Sequence, residues 1–327
     1  MKRKRGLGIA LACLLALSVV SCGKEDNSRG SDAARGSQSG SEASGAEDLE
    51  QGGGDSSVWK EPAKDEPALD WSAVPTAPKE DFNLTQTSIG PKDNAVKGWA
   101  IKEYEGEGGV VKIADSYDGK PVIMIERGAF EEKDVTDVCF ETEGFVYVQS
   151  GAFQDCTSLN SVVIKGNEKT EIRNHAFQGC TNLTSIVLSE DITRFYDNPF
   201  KDTLWYANKV QENPLLIVNN VALDGSQCTG DVRIPEGVTT IAQSAFSENE
   251  NITSVTLPDS TRRIEAAAFS FCTSLTRVNL PDDVEDIAEG SYTNPFGGCE
   301  KVVVTYKGKE YTSEEIGKLI SLINSRE

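Results

Sequence analysis

Cysteine is the most reactive residue type in this 327-residue chain, and its spacing is regular. Four cysteines each follow a phenylalanine by three positions: Cys156, Cys180, Cys272 and Cys299. The same position holds Thr203 and Asn249 elsewhere in the chain. A metal site or an obligatory disulfide framework would not tolerate those exchanges, and no Cys-x-x-Cys pair is present to hold zinc. The spacing predicts a column of small buried thiols, with disulfides between neighbouring cysteines as the alternative.

Two other cysteines lie outside that spacing. Aligning VTDVCF with LNSVVI places Cys139 beside Val163 on the outward face of a predicted strand, where it is either an ordinary strand residue or a reactive thiol. Cys228 lies in a stretch that does not repeat, and its sequence context predicts nothing about it.

The remaining candidates for catalysis are weak. His175 is the one histidine, and it stands at a position that Gly151 and Ser244 occupy in related segments, so we interpret it as a solvated turn residue. Carboxylates are too numerous to single out a pair, and neither a GxGxxG nor a GxxxxGKS phosphate loop occurs. The sequence therefore predicts no enzyme, no catalytic residue, no metal and no cofactor.

The residues that must position these side chains recur with a fixed period. An Ala-Phe or Pro-Phe pair recurs at Phe130, Phe153, Phe177, Phe200, Phe246, Phe269 and Phe296. The intervals are 23, 24, 23, 46, 23 and 27 residues, so a repeat without phenylalanine is expected between Phe200 and Phe246. A period in the twenties is typical of stacked repeats of leucine-rich type.

Each repeat has the same apolar pattern around its phenylalanine. An apolar residue lies five positions before it, as in Ile172 for Phe177, and a Leu-x-x-Val-x-Ile segment follows it, as in Leu159, Val162 and Ile164. The alternating part predicts a half-buried strand. At the end of the chain, TSEEIGKLISLINSRE begins with a capping box and continues with helical apolar spacing, which predicts a capping helix over residues 312–327.

This pattern resembles the BspA-type leucine-rich repeat family of bacterial surface proteins, whose units read roughly I-x-x-x-AF-x-x-C-x-x-L-x-x-V-x-I-P. The resemblance covers about Val96 to Tyr311. It implies an α+β solenoid over residues 92–311, a right-handed stack of about eight 23-residue units. Each unit would hold one short strand and one short helical or 3-10 turn. The resemblance is specific for fold and much less so for function.

The N-terminus is typical of an exported protein. MKRKR is followed by an apolar run of about 15 residues, which is short for a membrane span and suited to a signal peptide over residues 1–21. VVSC at 19–22 resembles a bacterial lipobox, which implies a lipid on Cys22 and attachment to the membrane. An ordinary secretory signal with an incidental cysteine is the alternative.

Residues 22–91 are rich in Gly, Ser, Pro and carboxylates and have no helical or alternating period. Such a segment buries too little apolar surface to offset chain entropy, which predicts a disordered stalk. Trp59 and Trp71 are expected to pack loosely or not at all, or else to form a short binding motif.

The formal charge of −20 disfavours nucleic acid as a partner. Two features are weak candidates for ligand binding: the aromatic pair Trp205 and Tyr206, and the outward strand row with Val163 and Val187. Either could instead be covered, the pair by packing onto the stack and the row by a loop. We expect a lipid-anchored, non-catalytic adhesion module outside the cell that binds an extracellular protein or glycan. A structural component of the envelope, in contact with cell wall or neighbouring proteins, is the alternative.

Overall fold

The computed structural model describes residues 69–290 and 292–325. The expected signal peptide, Cys22, Trp59 and the part of the stalk before residue 69 lie outside the described residues.

The described chain folds into short strands joined by tight turns, with two α-helices. A 3-10 helix at Lys79–Asp81 precedes the strands of the first half: β1 (Phe82–Ile89), β2 (Val96–Tyr104), β3 (Gly109–Ile113), β4 (Ser116–Tyr117), β5 (Lys120–Ile125), β6 (Val135–Glu141), β7 (Tyr147–Val148), β8 (Ser161–Lys165), β9 (Glu171–Ile172), β10 (Ser185–Leu188) and β11 (Arg194–Phe195). The second half contains α1 (Leu204–Glu212), β12 (Leu216–Val218), β13 (Val221–Asp224), β14 (Gly230–Arg233), β15 (Thr240–Ile241), β16 (Ile252–Thr256), β17 (Arg263–Ile264), β18 (Arg277–Asn279), β19 (Asp286–Ile287), β20 (Val303–Tyr306), β21 (Lys309–Thr312) and α2 (Ile316–Asn324).

The strands stack as a β-solenoid of about nine turns, which confirms the predicted fold class. Equivalent strands of successive turns pair in parallel and in register, so that Val162 of β8 pairs with Val138 of β6 and with Ile186 of β10. Most turns also contain a second strand of two residues, such as β9 and β17, which the sequence did not predict. Such a strand is too short to show any alternation in the sequence.

The Ala-Phe segments form consecutive i→i+3 turns, and these turns are also bonded from one repeat to the next. Within one repeat, the amide of Cys156 donates to the carbonyl of Phe153. Between repeats, the amide of Phe153 donates to the carbonyl of Ala176 at 2.8 Å. The backbone is therefore paired between neighbouring turns at three places per repeat, which satisfies most of its polar groups without a long strand.

The phenylalanine side chains stack in columns inside the solenoid, as predicted. Successive ring centroids are 4.7 Å apart for Phe130 and Phe153, 5.1 Å for Phe153 and Phe177, and 5.5 Å for Phe269 and Phe296. Tyr104 extends the first column toward the N-terminus, with its ring centroid 5.1 Å from that of Phe130.

The column is interrupted at Gly225, which occupies the phenylalanine position of the repeat that the interval of 46 residues predicted. Its amide donates to the carbonyl of Ala245 at 2.6 Å, which is equivalent to the bonds that the amides of Phe153 and Phe246 make to the next repeat. A Cβ on Gly225 would lie 2.0 Å from Cε1 of Phe246, so the Phe246 ring fills the missing side chain's place. Cys228 follows Gly225 by three positions and thus belongs to the regular cysteine spacing after all.

The strand pairing is interrupted at the same place. One pair of sheets has the orders β1-β2-β5-β7-β9-β11 and β10-β8-β6-β3, and the other has β12-β13-β15-β17-β19 and β14-β16-β18-β20-β21. Among the described residues no strand of the first pair bonds to a strand of the second. Helix α1 lies between them in sequence, and the second pair begins with β12, which pairs antiparallel with β13.

Residues 69–91 are folded onto the solenoid, and the predicted boundary between stalk and repeats at residue 91 is therefore wrong for this stretch. Strand β1 pairs along its length with β2. Before it, the N-terminal strap, which we define as residues 69–77, runs beside β3, where the amide of Ala77 donates to the carbonyl of Lys112 at 2.7 Å. Trp71 in this strap is 5% exposed, so the prediction that it packs loosely is wrong.

The C-terminal helix covers the last turn of the solenoid. Ile316, Leu319, Ile320 and Ile323 are all buried, as their spacing predicted. The helix begins at Ile316, four residues after the predicted start at 312. The Glu315 amide donates to the Thr312 carbonyl, and the Thr312 hydroxyl donates to the Glu315 carboxylate, so Thr312 does not act as the N-cap. The Asn324 side chain bonds to both backbone groups of Ile287 and so closes the edge of β19.

Candidate binding surface

The regularly spaced cysteines act as hydrogen-bond donors inside the stack. Cys156 Sγ donates to the carbonyl of Phe130 at 2.8 Å, and Cys180 Sγ donates to that of Phe153 at 3.0 Å. Asn249 has the same role, because its Nδ2 donates to the carbonyl of Gly225 at 2.9 Å. Each donor thus satisfies a carbonyl of the preceding repeat, which explains why Asn can replace Cys at this position.

The six described cysteines are free and buried. The hydrogen bond with Cys156, followed by burial, raises the pKa of Cys180, and burial raises the pKa of Cys228 to about 12. Thiols with raised pKa values carry little thiolate at neutral pH and are poor nucleophiles and poor metal ligands. Within the described residues no group of three His, Cys, Asp or Glu side chains is arranged to hold a metal ion.

The outward strand row lies beneath the N-terminal strap. Trp71, Cys139 and Val163 form a separate apolar cluster with Val187 at its margin, and Cys139 and Val163 are almost fully buried. Burial raises the pKa of Cys139 to about 12. Val163 therefore cannot contact a ligand while the strap is in place. The structure supports the alternative in which another segment of the chain covers the strand row.

The aromatic pair Trp205 and Tyr206, on helix α1, is also held in contacts within the protein. Trp205 is 6% exposed and packs edge-on against Phe200, with ring centroids 5.2 Å apart. Tyr206 is half-buried, and its hydroxyl donates to Asp224 Oδ2 at 3.1 Å. Both side chains pack helix α1 onto the solenoid, so neither forms an open aromatic surface.

His175 is exposed and has a φ of 59°. The same left-handed conformation occurs at Gly128, Gly151, Ser244 and Ala267 in the equivalent position of other repeats. His175 is thus a turn residue at the solvent, as the sequence analysis interpreted it.

Accessible aromatic and charged side chains that could bind a ligand lie instead on the face formed by the two-residue strands. In each of these strands the apolar residue points inward, and the residues on either side of it point outward. The register places Tyr147, Glu171 and Arg194 side by side on β7, β9 and β11. Arg173 and Tyr196 follow these strands, and we call these five residues the Tyr147–Tyr196 surface.

Contacts within this surface fix its side chains. Glu171 is buried, and its carboxylate contacts the Arg173 guanidinium at 3.0 Å and that of Arg194 at 3.6 Å. The Arg173 guanidinium stacks over the Tyr196 ring, 4.4 Å from its centroid. Burial, followed by the charge of Glu171, raises the pKa of Tyr147, so its hydroxyl remains a neutral hydrogen-bond donor.

The arrangement presents two aromatic rings and two guanidinium groups held by one carboxylate, over three neighbouring turns. Tyrosine and arginine are the residue types that most often dominate binding energy at protein interfaces. These residues were not among the predicted ligand-binding candidates, because the alternating pattern that predicts a strand lies in the longer strand of each repeat. In the sequence they stand directly before and after the apolar residue that lies five positions ahead of each phenylalanine. Glu171 and Arg173, for example, flank Ile172.

Comparisons with known proteins agree with the repeat architecture. The sequence profile of the BspA type leucine-rich repeat region matches residues 119–226 and 207–309, with six copies of the repeat. No curated protein matches the chain significantly. Among the described residues, no helix is long and apolar enough to cross a membrane.

Solved structures with similarity to the chain are bacterial leucine-rich repeat proteins. One from T. pallidum is 24% identical, with a TM-score of 0.30 over 72% of this chain and 83% of that one. One from Bacteroides ovatus is also 24% identical, with a TM-score of 0.32 over 69% of this chain and 53% of that one. A leucine-rich cell surface protein from Faecalibacterium prausnitzii is 17% identical, with a TM-score of 0.24 over 78% of this chain and 99% of that one. TM-scores this low carry no argument about function.

Proposed function

Because the chain belongs to the BspA-type leucine-rich repeat family, we propose that it is a non-catalytic adhesion module that binds an extracellular protein or glycan through the Tyr147–Tyr196 surface. Repeat proteins of this kind are interaction or surface modules and are typically non-catalytic. The observation that carries the proposal is the stacking of Arg173 on Tyr196 beside Arg194, in which the buried Glu171 carboxylate orders the solvent-accessible guanidinium groups. Ordered side chains lose little entropy on binding, which favours affinity.

We also propose that Cys22 carries a lipid that holds the protein at the outer face of the cell membrane. The support is the basic start, the apolar run and the VVSC sequence at residues 19–22. Feeding cells an alkyne-tagged fatty acid tests this anchor. We expect the chain to be labelled and Cys22→Ala to remove both the label and the membrane association, whereas label retained in Cys22→Ala would contradict it.

The binding proposal is tested by a panel of immobilised matrix proteins, mucins and serum proteins, probed with the chain beginning at Gly23. We expect saturable binding to at least one of them at about micromolar concentration. The double variant Arg173→Ala/Tyr196→Ala should bind about tenfold or more weakly, because it removes both members of the stacked pair. Arg277→Ala is the matched control, since this arginine is also exposed but lies on β18, far along the chain from the surface.

The absence of any saturable partner, or equal binding by the double variant, would contradict the proposal. Binding confined to isolated cell wall would instead support a structural role in the envelope.

A further inference from the structure

Phe271 is an outlier among the repeats in both conformation and exposure. It follows its phenylalanine anchor by two positions and has a φ of 59°, a left-handed conformation that is costly for a bulky residue. The equivalent position in other repeats holds small or acidic residues: Glu132, Asp155, Gly179, Asp202, Glu248 and Gly298. Phe271 is 59% exposed, so it does not recover the cost through full burial.

The ring of Phe271 rests on the backbone of the next repeat. A Cβ on Gly298 would lie 2.5 Å from Cδ1 of Phe271, so the glycine makes room for the ring. The amide of Phe271 donates to the carbonyl of Gly297 at 2.7 Å, which holds the two turns together. One side of the ring is thereby supported, while more than half of the side chain remains in contact with solvent.

A second exposed aromatic lies along the same edge. Tyr292 is 99% exposed and precedes Thr293, whose carbonyl accepts from the amide of Ala267 at 3.1 Å. We define the Phe271 edge by Ala266, Ala267, Ser270, Phe271, Tyr292 and Gly297, together with Glu248 of the preceding repeat, whose amide donates to the carbonyl of Ser270 at 2.8 Å. Where this repeat has Ala266, Ser270 and Phe271, an early repeat has Arg127, Glu131 and Glu132. This repeat therefore has three uncharged side chains where the early repeat has charged ones, next to two exposed rings.

We propose that the Phe271 edge is a second binding site, separate from the Tyr147–Tyr196 surface, and that it stacks the ring of a neutral saccharide on Phe271 and Tyr292. The charged group of the edge is the Glu248 carboxylate, which repels an anionic ligand and accepts hydrogen bonds from hydroxyl groups. The two exposed side chains present about 300 Å², well below the roughly 800 Å² per partner of a stable protein interface. The electron-rich face of an aromatic ring attracts the polarised C–H groups on the flat face of a pyranose.

The test is calorimetric titration of the full chain with cellohexaose, maltohexaose and chitohexaose. We expect at least one of them to bind saturably at or below about 5 mM. Phe271→Gly should weaken this binding about tenfold or more, because it removes the stacking ring. The same variant should melt at a higher temperature than Phe271→Ala, because glycine adopts the left-handed conformation without strain. If Phe271→Gly loses affinity and also melts at a higher temperature than Phe271→Ala, the ring serves ligand binding and not the stability of the fold.

Leu322→Ala is the control, since Leu322 is an exposed apolar residue on α2 and should leave the affinity unchanged. No saturable binding of any of the three hexasaccharides would overturn the proposal, as would equal binding by Phe271→Gly. Vesicles of phosphatidylcholine form a further arm. Association with vesicles but not with saccharides, lost in Phe271→Gly, would assign the edge to a lipid surface and would also overturn it. None of these outcomes bears on binding at the Tyr147–Tyr196 surface.

Discussion

At the scale of single residues, the buried position three residues after each phenylalanine requires a hydrogen-bond donor as well as a small side chain. Cys156 and Asn249 differ in chemistry, but each donates to a carbonyl of the preceding repeat. Leaving that carbonyl without a donor in the interior would cost about 1–3 kcal/mol. Cys139 has another role, because it packs in one buried cluster with Trp71 and the strap shields it from solvent.

Removing the Trp71 side chain should expose the Cys139 thiol. Burial raises the pKa of Cys139 to about 12, so almost no thiolate is present at pH 8. Trp71→Ala would let the pKa fall toward its ordinary value, and alkylation of Cys139 should accelerate about tenfold or more. The measurement is peptide mapping of maleimide adducts over time at pH 8 in the chain beginning at Gly23.

Cys139→Ala in the Trp71→Ala background should abolish the added signal. If Cys139 is alkylated equally fast with Trp71 present, the strap does not protect it and the prediction is wrong.

At the scale of elements, each turn of the solenoid is stable because its neighbours bury its apolar side chains and pair its backbone. The phenylalanine columns show this dependence directly, since each ring is stacked on the ring of the next repeat. Gly225 is the exception, and it is as tightly constrained as the aromatic residues. The space that its side chain would occupy is already filled by the Phe246 ring.

Gly225→Ala should therefore destabilise the protein, although alanine is usually neutral or favourable in place of glycine. The added methyl group would meet the Phe246 ring, and overpacking of this kind costs about 1–3 kcal/mol in the free energy of unfolding. Urea unfolding followed by circular dichroism measures the difference.

Gly317→Ala is the matched control, because a Cβ on Gly317 of α2 meets nothing within 4 Å. This second variant should be more stable than the parent by about 0.5–1 kcal/mol, since it favours the helix. Equal stability of the two variants would contradict the interpretation of Gly225.

At the scale of the whole molecule, the described solenoid consists of two blocks of paired strands that meet near helix α1. No strand pair joins β11 to β13 or β10 to β14 in the described part of the chain. Side chains make the connection instead. The buried Asp224 carboxylate accepts from Asn198 Nδ2 at 2.9 Å and from the Tyr206 hydroxyl, and Asn219 Nδ2 donates to the Ser189 carbonyl at 3.1 Å.

Native-state hydrogen exchange should resolve these two blocks as separate cooperative units. In Asp224→Ala the Asn198 and Tyr206 donors lose their buried acceptor, so protection should fall in β11 and β13, next to the junction. Protection in β18 and β20, several turns away, should change little, because a stacked array loses stability locally first.

Asp286→Ala serves as the control, since this carboxylate is exposed on β19. A uniform loss of protection across all turns would show that the solenoid unfolds as one unit and would contradict the prediction.

The sequence by itself determined which residues point inward, where the repeats lie and how the C-terminus is capped. The reason is that each inward position has the same neighbours in the adjacent turns, about one period away in the chain, so spacing alone specifies its surroundings. Phe177, Ile172 and Leu319 are buried for this reason. Only the tertiary structure decided that Trp71 covers Cys139, that Phe246 fills the place of a Gly225 side chain and that Tyr147, Arg173 and Tyr196 remain uncovered. The contact of Trp71 with Cys139 joins residues with no periodic relation. The other two outcomes depend on which side chain fills or leaves open a repeated position, and spacing alone does not specify that.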